Sequence, residues 1–125
     1  MGFKRVTITS PEEHDAMIAY TSQLCHVMAV ALVNCDTAYE ETIQFVGDSF
    51  RDLTRIAKIN EQLWTELFIS NKEELLQAID RFSEEMDNLR QAIASENQSV
   101  LQDCLKESTK RREYFDVMDT KSHQA

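Results

Sequence analysis

The sequence predicts an all-α fold of about five to six helices, and three observations carry that prediction. Glycine occurs twice and proline once in 125 residues, where average usage gives about 9 and 6. Sheet-rich and loop-rich folds need both residues at turns, so their scarcity points to long helices joined by short connections. Leu75, Ile79, Phe82, Met86, Leu89 and Ile93 recur at 4-3-4-3-4 spacing, the seam of a helix that faces another helix. Ser10-Pro11-Glu12-Glu13 is a helix start, with Ser10 placed to cap, Pro11 suited to the first helical position and Glu13 completing a capping box.

Phe3 to Thr9 (FKRVTIT) roughly alternates, with Val6 and Ile8 between Arg5, Thr7 and Thr9, and reads as a short strand. No second strand follows, and a lone strand leaves its backbone groups unpaired. Residues 1–9 are therefore read as a linker strand left from the sheet of an upstream domain, or as an extended tail. A helical domain is expected over 10–118 and a polar tail over 119–125.

The first helix is expected to run from Ser10 to about Asn34. Between Leu24 and Val33 only His26 is polar, so this stretch should be surrounded by protein. Cys35 to Val46 holds a short helix at most. After a break at Gly47, Asp48 or Ser49 caps a helix reaching about Ile59. Asn60 caps the next, with Leu63, Trp64, Leu67 and Phe68 on one face. Asn71 with Glu74 resembles a second capping box ahead of the seam, and Leu101, Leu105 and Phe115 mark a last helix. The seam can close against a helix of the same chain or against a second copy; the pattern favours the same chain.

Composition narrows the function. The net charge of -9 disfavours nucleic acid and anionic membranes, whose phosphates draw on clustered Lys and Arg. The longest unbroken apolar run, Val27 to Val33, is short of the ~20 residues of a membrane span. Three widely spaced cysteines, Cys25, Cys35 and Cys104, with no C-x-x-C pair, fit reduced thiols in the cytoplasm. Neither G-x-G-x-x-G nor a P-loop occurs, so no cofactor is expected to bind this chain alone. His14, His26 and His123 lack metal-ligand spacing, so no metal is expected. Cys25 and His26 point about 100° apart on a helix, which excludes a thiol–imidazole dyad, and no catalytic residue is assigned.

Two clusters remain. On a regular helix Asp15, Ala19, Ser22, His26, Ala29 and Val33 share one stripe, a narrow polar face with small residues beside it. This suits either a ligand pocket or a core histidine satisfied by its neighbours. In SFRDLTRIAKI, Arg51, Arg55 and Lys58 stand at i, i+4 and i+7. Their mutual repulsion calls for an anion, which Arg grips with a planar fork, or for solvent and the chain's own Glu residues. Asp52, three residues before Arg55, is placed to orient it. Trp64, Phe68, Met17 and Met28 read as core.

Two segments together resemble a known family. Glu13-His14-Asp15 is followed by Ala19, Ser22-Gln23-Leu24-Cys25-His26 and Ala29. Ser49-Phe50-Arg51-Asp52-Leu53-Thr54-Arg55-Ile56-Ala57 is followed by Asn60, Leu63-Trp64 and Asn71. In order and spacing they are similar to the C-terminal helical domain of prephenate dehydrogenase, whose motifs run H-D, S-x-L-P-H and G-F-R-D-x-T-R-I-A. The likeness covers about Phe3 to Leu89. It implies NAD(P)-dependent oxidative decarboxylation of prephenate to 4-hydroxyphenylpyruvate, on the way to tyrosine. It also implies a homodimer, and an N-terminal Rossmann domain that carries NAD or NADP. By the same resemblance Arg55 anchors a prephenate carboxylate, His26 and Ser22 line the pocket, and Asp52 accompanies the arginine. Cys25 stands where the family usually has Pro, which implies a straighter first helix. Asp48 and Ser49 stand at positions that are often Gly. The other reading of the sequence is a stand-alone helical interaction or small-anion-binding module without catalysis.

Overall fold

A computed structural model describes residues 10–124, with side chains through Lys121. The strand expected over residues 1–9 lies outside the described residues. Among the described residues the protein is helical throughout, with six helices and no strand. They are α1 (Pro11–Asn34), α2 (Tyr39–Thr42), α3 (Asp48–Thr54), α4 (Glu61–Ser70), α5 (Lys72–Ala94) and α6 (Gln98–Gln124). Residues 11–79 form one compact unit and residues 80–124 belong to a second, the division falling within α5.

In the first unit, α1 begins at Pro11 as the capping sequence predicts. It is not a uniform α-helix. Ala19–Gln23 form a π turn, closed by a bond from the Leu24 N–H to the Ala19 carbonyl, five residues back instead of four. The helix is thus irregular just ahead of Cys25, rather than straighter there. Of the predicted stripe the four middle positions face inward and the two ends do not. Ala19 and Ala29 are buried, Ser22 and His26 are half-buried, and Asp15 and Val33 are exposed. The buried polar residue is Gln23, only 5% exposed.

The count of unbroken apolar residues also understated α1. At 24 residues, with a window of mean hydropathy 1.6, it is long and apolar enough by length and composition to cross a membrane. Its internal packing argues for a different use. Gln23 faces inward onto hydrogen-bond partners from elsewhere in the chain, and the second half of α1 packs against α3 and the turn after it. Only 22% of the apolar window is buried, so much of its apolar surface faces outward.

After α1, the Asp36 carboxylate accepts from the Ala38 N–H at 2.8 Å, starting α2, which tightens into a 3-10 turn at Ile43–Phe45. Gly47, not Asp48 or Ser49, is the cap residue of α3, and no side chain caps that helix. α3 stops at Thr54, and Arg55–Ala57 form a 3-10 turn instead of continuing to Ile59. Asn60 caps α4 as expected, its Oδ1 accepting from the Leu63 N–H at 2.9 Å. The buried apolar residues of this unit are Ala19, Leu24, Ala29, Leu75 and Ala78, mostly small.

In the second unit, α5 ends with the Asn97 N–H bonded to the Ala92 carbonyl and the Glu96 N–H to the Ile93 carbonyl. Glu96 takes the left-handed position (φ 54°) that usually holds Gly. Asn97 then caps α6 through the Val100 N–H at 3.1 Å. α6 continues past Met118 to Gln124, and carries Arg111–Glu107 and Arg112–Asp116 ion pairs at 2.7 and 3.0 Å. The Glu107 carboxyl is held below its ordinary range by the hydrogen bond from Arg111 and by that side chain's charge. Ala92 is the one buried apolar residue described in this unit. Along the predicted seam Leu75 is buried and Ile79, Phe82 and Leu89 are half-buried. Met86 and Ile93 remain 52% and 62% exposed, so the described residues do not close the seam at those two positions.

Candidate functional site

The first unit gathers an aromatic platform and an unpaired cation around α1. The His26 side chain sits one turn beyond the π turn. Its Nδ1 lies 2.9 Å from the Ser22 carbonyl. A carbonyl only accepts, so Nδ1 carries the proton, and Nε2 has no partner among the described residues. The imidazole stacks on Trp64, with centroids 3.8 Å apart and planes 22° from parallel. Trp64 meets Phe68 edge-on at 5.7 Å, the two standing four apart on α4 and so on one face. The Asn60 cap fixes the turn from which Trp64 projects, because the Trp64 N–H also bonds the Asn60 carbonyl at 3.1 Å.

Arg55 opens the 3-10 turn Arg55–Ala57, which packs against the Leu24–Asn34 stretch that carries His26. Its side chain is exposed and makes no ion pair among the described residues. Arg51 reaches Asp48 at 4.0 Å, with both side chains in solvent. Asp52 is exposed and makes no ion pair with Arg55, contrary to the orienting role its spacing predicts. After Thr54 the backbone switches to the 3-10 turn Arg55–Ala57. The same switch dissolves the Arg51–Arg55–Lys58 stripe, since Lys58 is extended (φ -82°, ψ 104°). Ser22, within the π turn, is half-buried; its carbonyl holds His26, and its hydroxyl has no partner among the described residues.

Gln23, Asn71 and Trp64 were not assigned to a site from the sequence. The Asn71 side chain, expected as a cap, instead donates to the Gln23 Oε1 at 2.9 Å and to the Asp15 carbonyl at 3.0 Å. Gln23 in turn reaches the Leu67 carbonyl at 3.5 Å. A polar side chain inside an otherwise apolar helix was the one signal for Gln23. Among the described residues no cluster of His, Cys, Asp and Glu could hold a metal. Among the described residues there is one glycine, Gly47. A Cβ on Gly47 would meet nothing within 4 Å, and the φ there is -114°, so the glycine serves no close phosphate approach.

Comparison with known proteins decides the family. The model for the prephenate dehydrogenase dimerization domain matches residues 10–107. The chain belongs to the prephenate dehydrogenase dimerization-domain family. Among its relatives, the cyclohexadienyl dehydrogenase of Zymomonas mobilis is 36% identical over 113 residues, covering 86% of this chain and 39% of that protein. The prephenate dehydrogenase of Bacillus subtilis is 32% identical over 92 residues, covering 70% and 25%. The crystal structure of A. aeolicus prephenate dehydrogenase in complex with hydroxyphenyl propionate and NAD+ matches with TM-score 0.78 and 33% identity, over 86% of this chain and 39% of that one. Synechocystis arogenate dehydrogenase shares the fold (TM-score 0.79, 22% identity, 87% and 41%). The chain thus spans about two fifths or less of the length of these relatives.

Proposed function

We propose that this domain supplies the dimer interface and part of the prephenate pocket of an NAD(P)-dependent prephenate dehydrogenase in the cytoplasm. The carrying observation is the His26–Trp64 stack on α1 and α4, with an unpaired Arg55 on a turn packed against the same helix. A flat apolar platform suits the six-membered ring of prephenate, and an arginine fork suits its carboxylate. His26 Nε2 and the Ser22 hydroxyl add hydrogen-bonding groups, and Asp52 contributes negative charge on the neighbouring helix. The A. aeolicus relative was crystallised with a ligand of the same type, a ring bearing a carboxylate arm, together with NAD+. The cofactor would supply the hydride acceptor. Because the sequence holds neither G-x-G-x-x-G nor a P-loop, a dinucleotide-binding domain is the partner the activity requires. Exposed apolar residues, among them Met86, Ile93, Leu105 and Val117, support self-association as a homodimer.

The test is prephenate-dependent NAD(P) reduction by the enzyme that contains this domain. Replacing His26 with Ala removes a stacked ring and a polar contact, together about 1–2 kcal/mol, and should lower kcat/KM about 5- to 30-fold. Unchanged kinetics would return His26 to a purely structural role.

A further inference from the structure

A π turn inside an α-helix has poorer hydrogen-bond geometry than the helix on either side, so it persists where surrounding contacts fix it. Two residues supply such contacts here: Leu67, whose carbonyl accepts from Gln23 Nε2 at 3.5 Å, and Asn71. Asn71 sits at the joint between α4 and α5, its N–H bonded to the Leu67 carbonyl and its carbonyl accepting from the Leu75 N–H. Both helices therefore hold its backbone. Its amide Nδ2 reaches the Asp15 carbonyl, just before the π turn, and the Gln23 Oε1, at the end of that turn. The Asp15 carbonyl accepts only, which fixes the amide orientation. The node straddles the irregular segment. Gln23 is buried, so leaving its Oε1 unpartnered would be unfavourable, and Asn71 helps hold the turn to this phase.

The consequence lies three residues further on. His26 stacks on Trp64, and Trp64 belongs to α4, the helix whose end carries Asn71. The contacts close a loop running from the π turn to His26, on to Trp64 and α4, and through Asn71 back to the π turn. We propose that Asn71, acting through Gln23 and the Asp15 carbonyl, is a positioning residue that sets the phase of the π turn and thereby aims Ser22 and His26 at the substrate. This rests on the pocket reading above. Asn71 itself touches no reacting atom.

Trp64 is the single tryptophan, so its near-ultraviolet circular dichroism reports the stack without interference from another indole. The part of that band lost in His26→Ala is the signature of the His26–Trp64 geometry. The experiment compares Asn71→Ala and Gln23→Met with the wild-type chain in its native oligomeric state. Gln23→Met keeps side-chain length and helix propensity while removing the bond from Asn71 and the longer one to the Leu67 carbonyl, which Asn71→Ala leaves in place. Both variants should lose most of the His26-dependent band while retaining the far-ultraviolet helix signal. In the enzyme, both should raise KM for prephenate several-fold with kcat largely kept.

If Asn71→Ala loses its helix signal, Gln23→Met carries the test. A folded variant with the wild-type tryptophan band overturns the proposal. So does collapse of both variants, since the node would then hold the fold together rather than aim the site. The spectrum needs no substrate. A wild-type enzyme that does not turn over prephenate therefore refutes the pocket reading alone, and an unchanged band refutes the positioning role alone.

Discussion

Replacing Arg55 with Ala tests the substrate site through the residue with least structural business of its own. Arg55 is exposed, sits at the start of a 3-10 turn and makes no ion pair among the described residues. Its removal should therefore change stability by no more than about 0.5 kcal/mol. The turn it opens packs against the helix stretch that carries His26. A hydrogen bond to a charged partner contributes about 1.5–3 kcal/mol, so losing it from a bound carboxylate corresponds to roughly 10- to 150-fold weaker binding. Steady-state kinetics of the enzyme should show KM for prephenate rising by that factor, with thermal unfolding unmoved. Arg55→Lys keeps the charge but loses the planar fork and should fall between the two. If Arg55→Ala leaves KM unchanged, Arg55 does not hold the substrate and the assignment of the site fails. A large loss of thermal stability would equally contradict the reasoning, because it would mean that Arg55 holds the fold.

Three further outcomes are expected. Met86 and Ile93 are about half exposed, and covering the remaining surface of each is worth roughly 1–2 kcal/mol. In a twofold dimer each counts twice, so Met86→Glu with Ile93→Glu should weaken self-association by about 4–8 kcal/mol, visible as dissociation on dilution. Glu96→Gly relieves a left-handed backbone at the end of α5 and should stabilise by about 1 kcal/mol, raising Tm by roughly 4 °C. The Glu107 carboxyl is lowered in the folded state. Its pair with Arg111 therefore stabilises above the ordinary carboxylate pKa, and that contribution is lost as pH falls through the lowered value. The stability difference between wild type and Glu107→Gln should accordingly be present at neutral pH and shrink on acidification.

The starts of α1 and α4 were legible in the sequence because Pro11 and Asn60 act on their own first turns. The seam on α5 was legible because periodicity is local to one helix. The π turn was not, because the residue that holds it comes from far along the chain: Asn71 bonds the Asp15 carbonyl and Gln23, 56 and 48 residues away. In isolation Asn71 has the chemistry of a cap, and nothing nearby shows that its amide is committed elsewhere. The early end of α3 was hidden in the same way. RDLTRIAK is good helix sequence, yet Thr54 turns its hydroxyl back to the Phe50 carbonyl at 2.6 Å and its own backbone tightens to φ -105°, ψ -2°. That change, with Lys58 extended after it, broke the predicted cationic stripe. His26 and Arg55 nevertheless came to one helix and the turn packed on it, because the motif spacing already encoded that packing. Trp64 was read as core from its apolar ring, and only the 3.8 Å stack shows that the ring also meets His26.

The most direct test of the account is the solution mass of the chain by light scattering across a dilution series. The account expects about 29 kDa, twice the 14.5 kDa chain, persisting as the protein is diluted, because the apolar surface of α1 and the open seam positions are covered by a second copy. A stable 14.5 kDa species would contradict it and leave those surfaces without the role assigned to them.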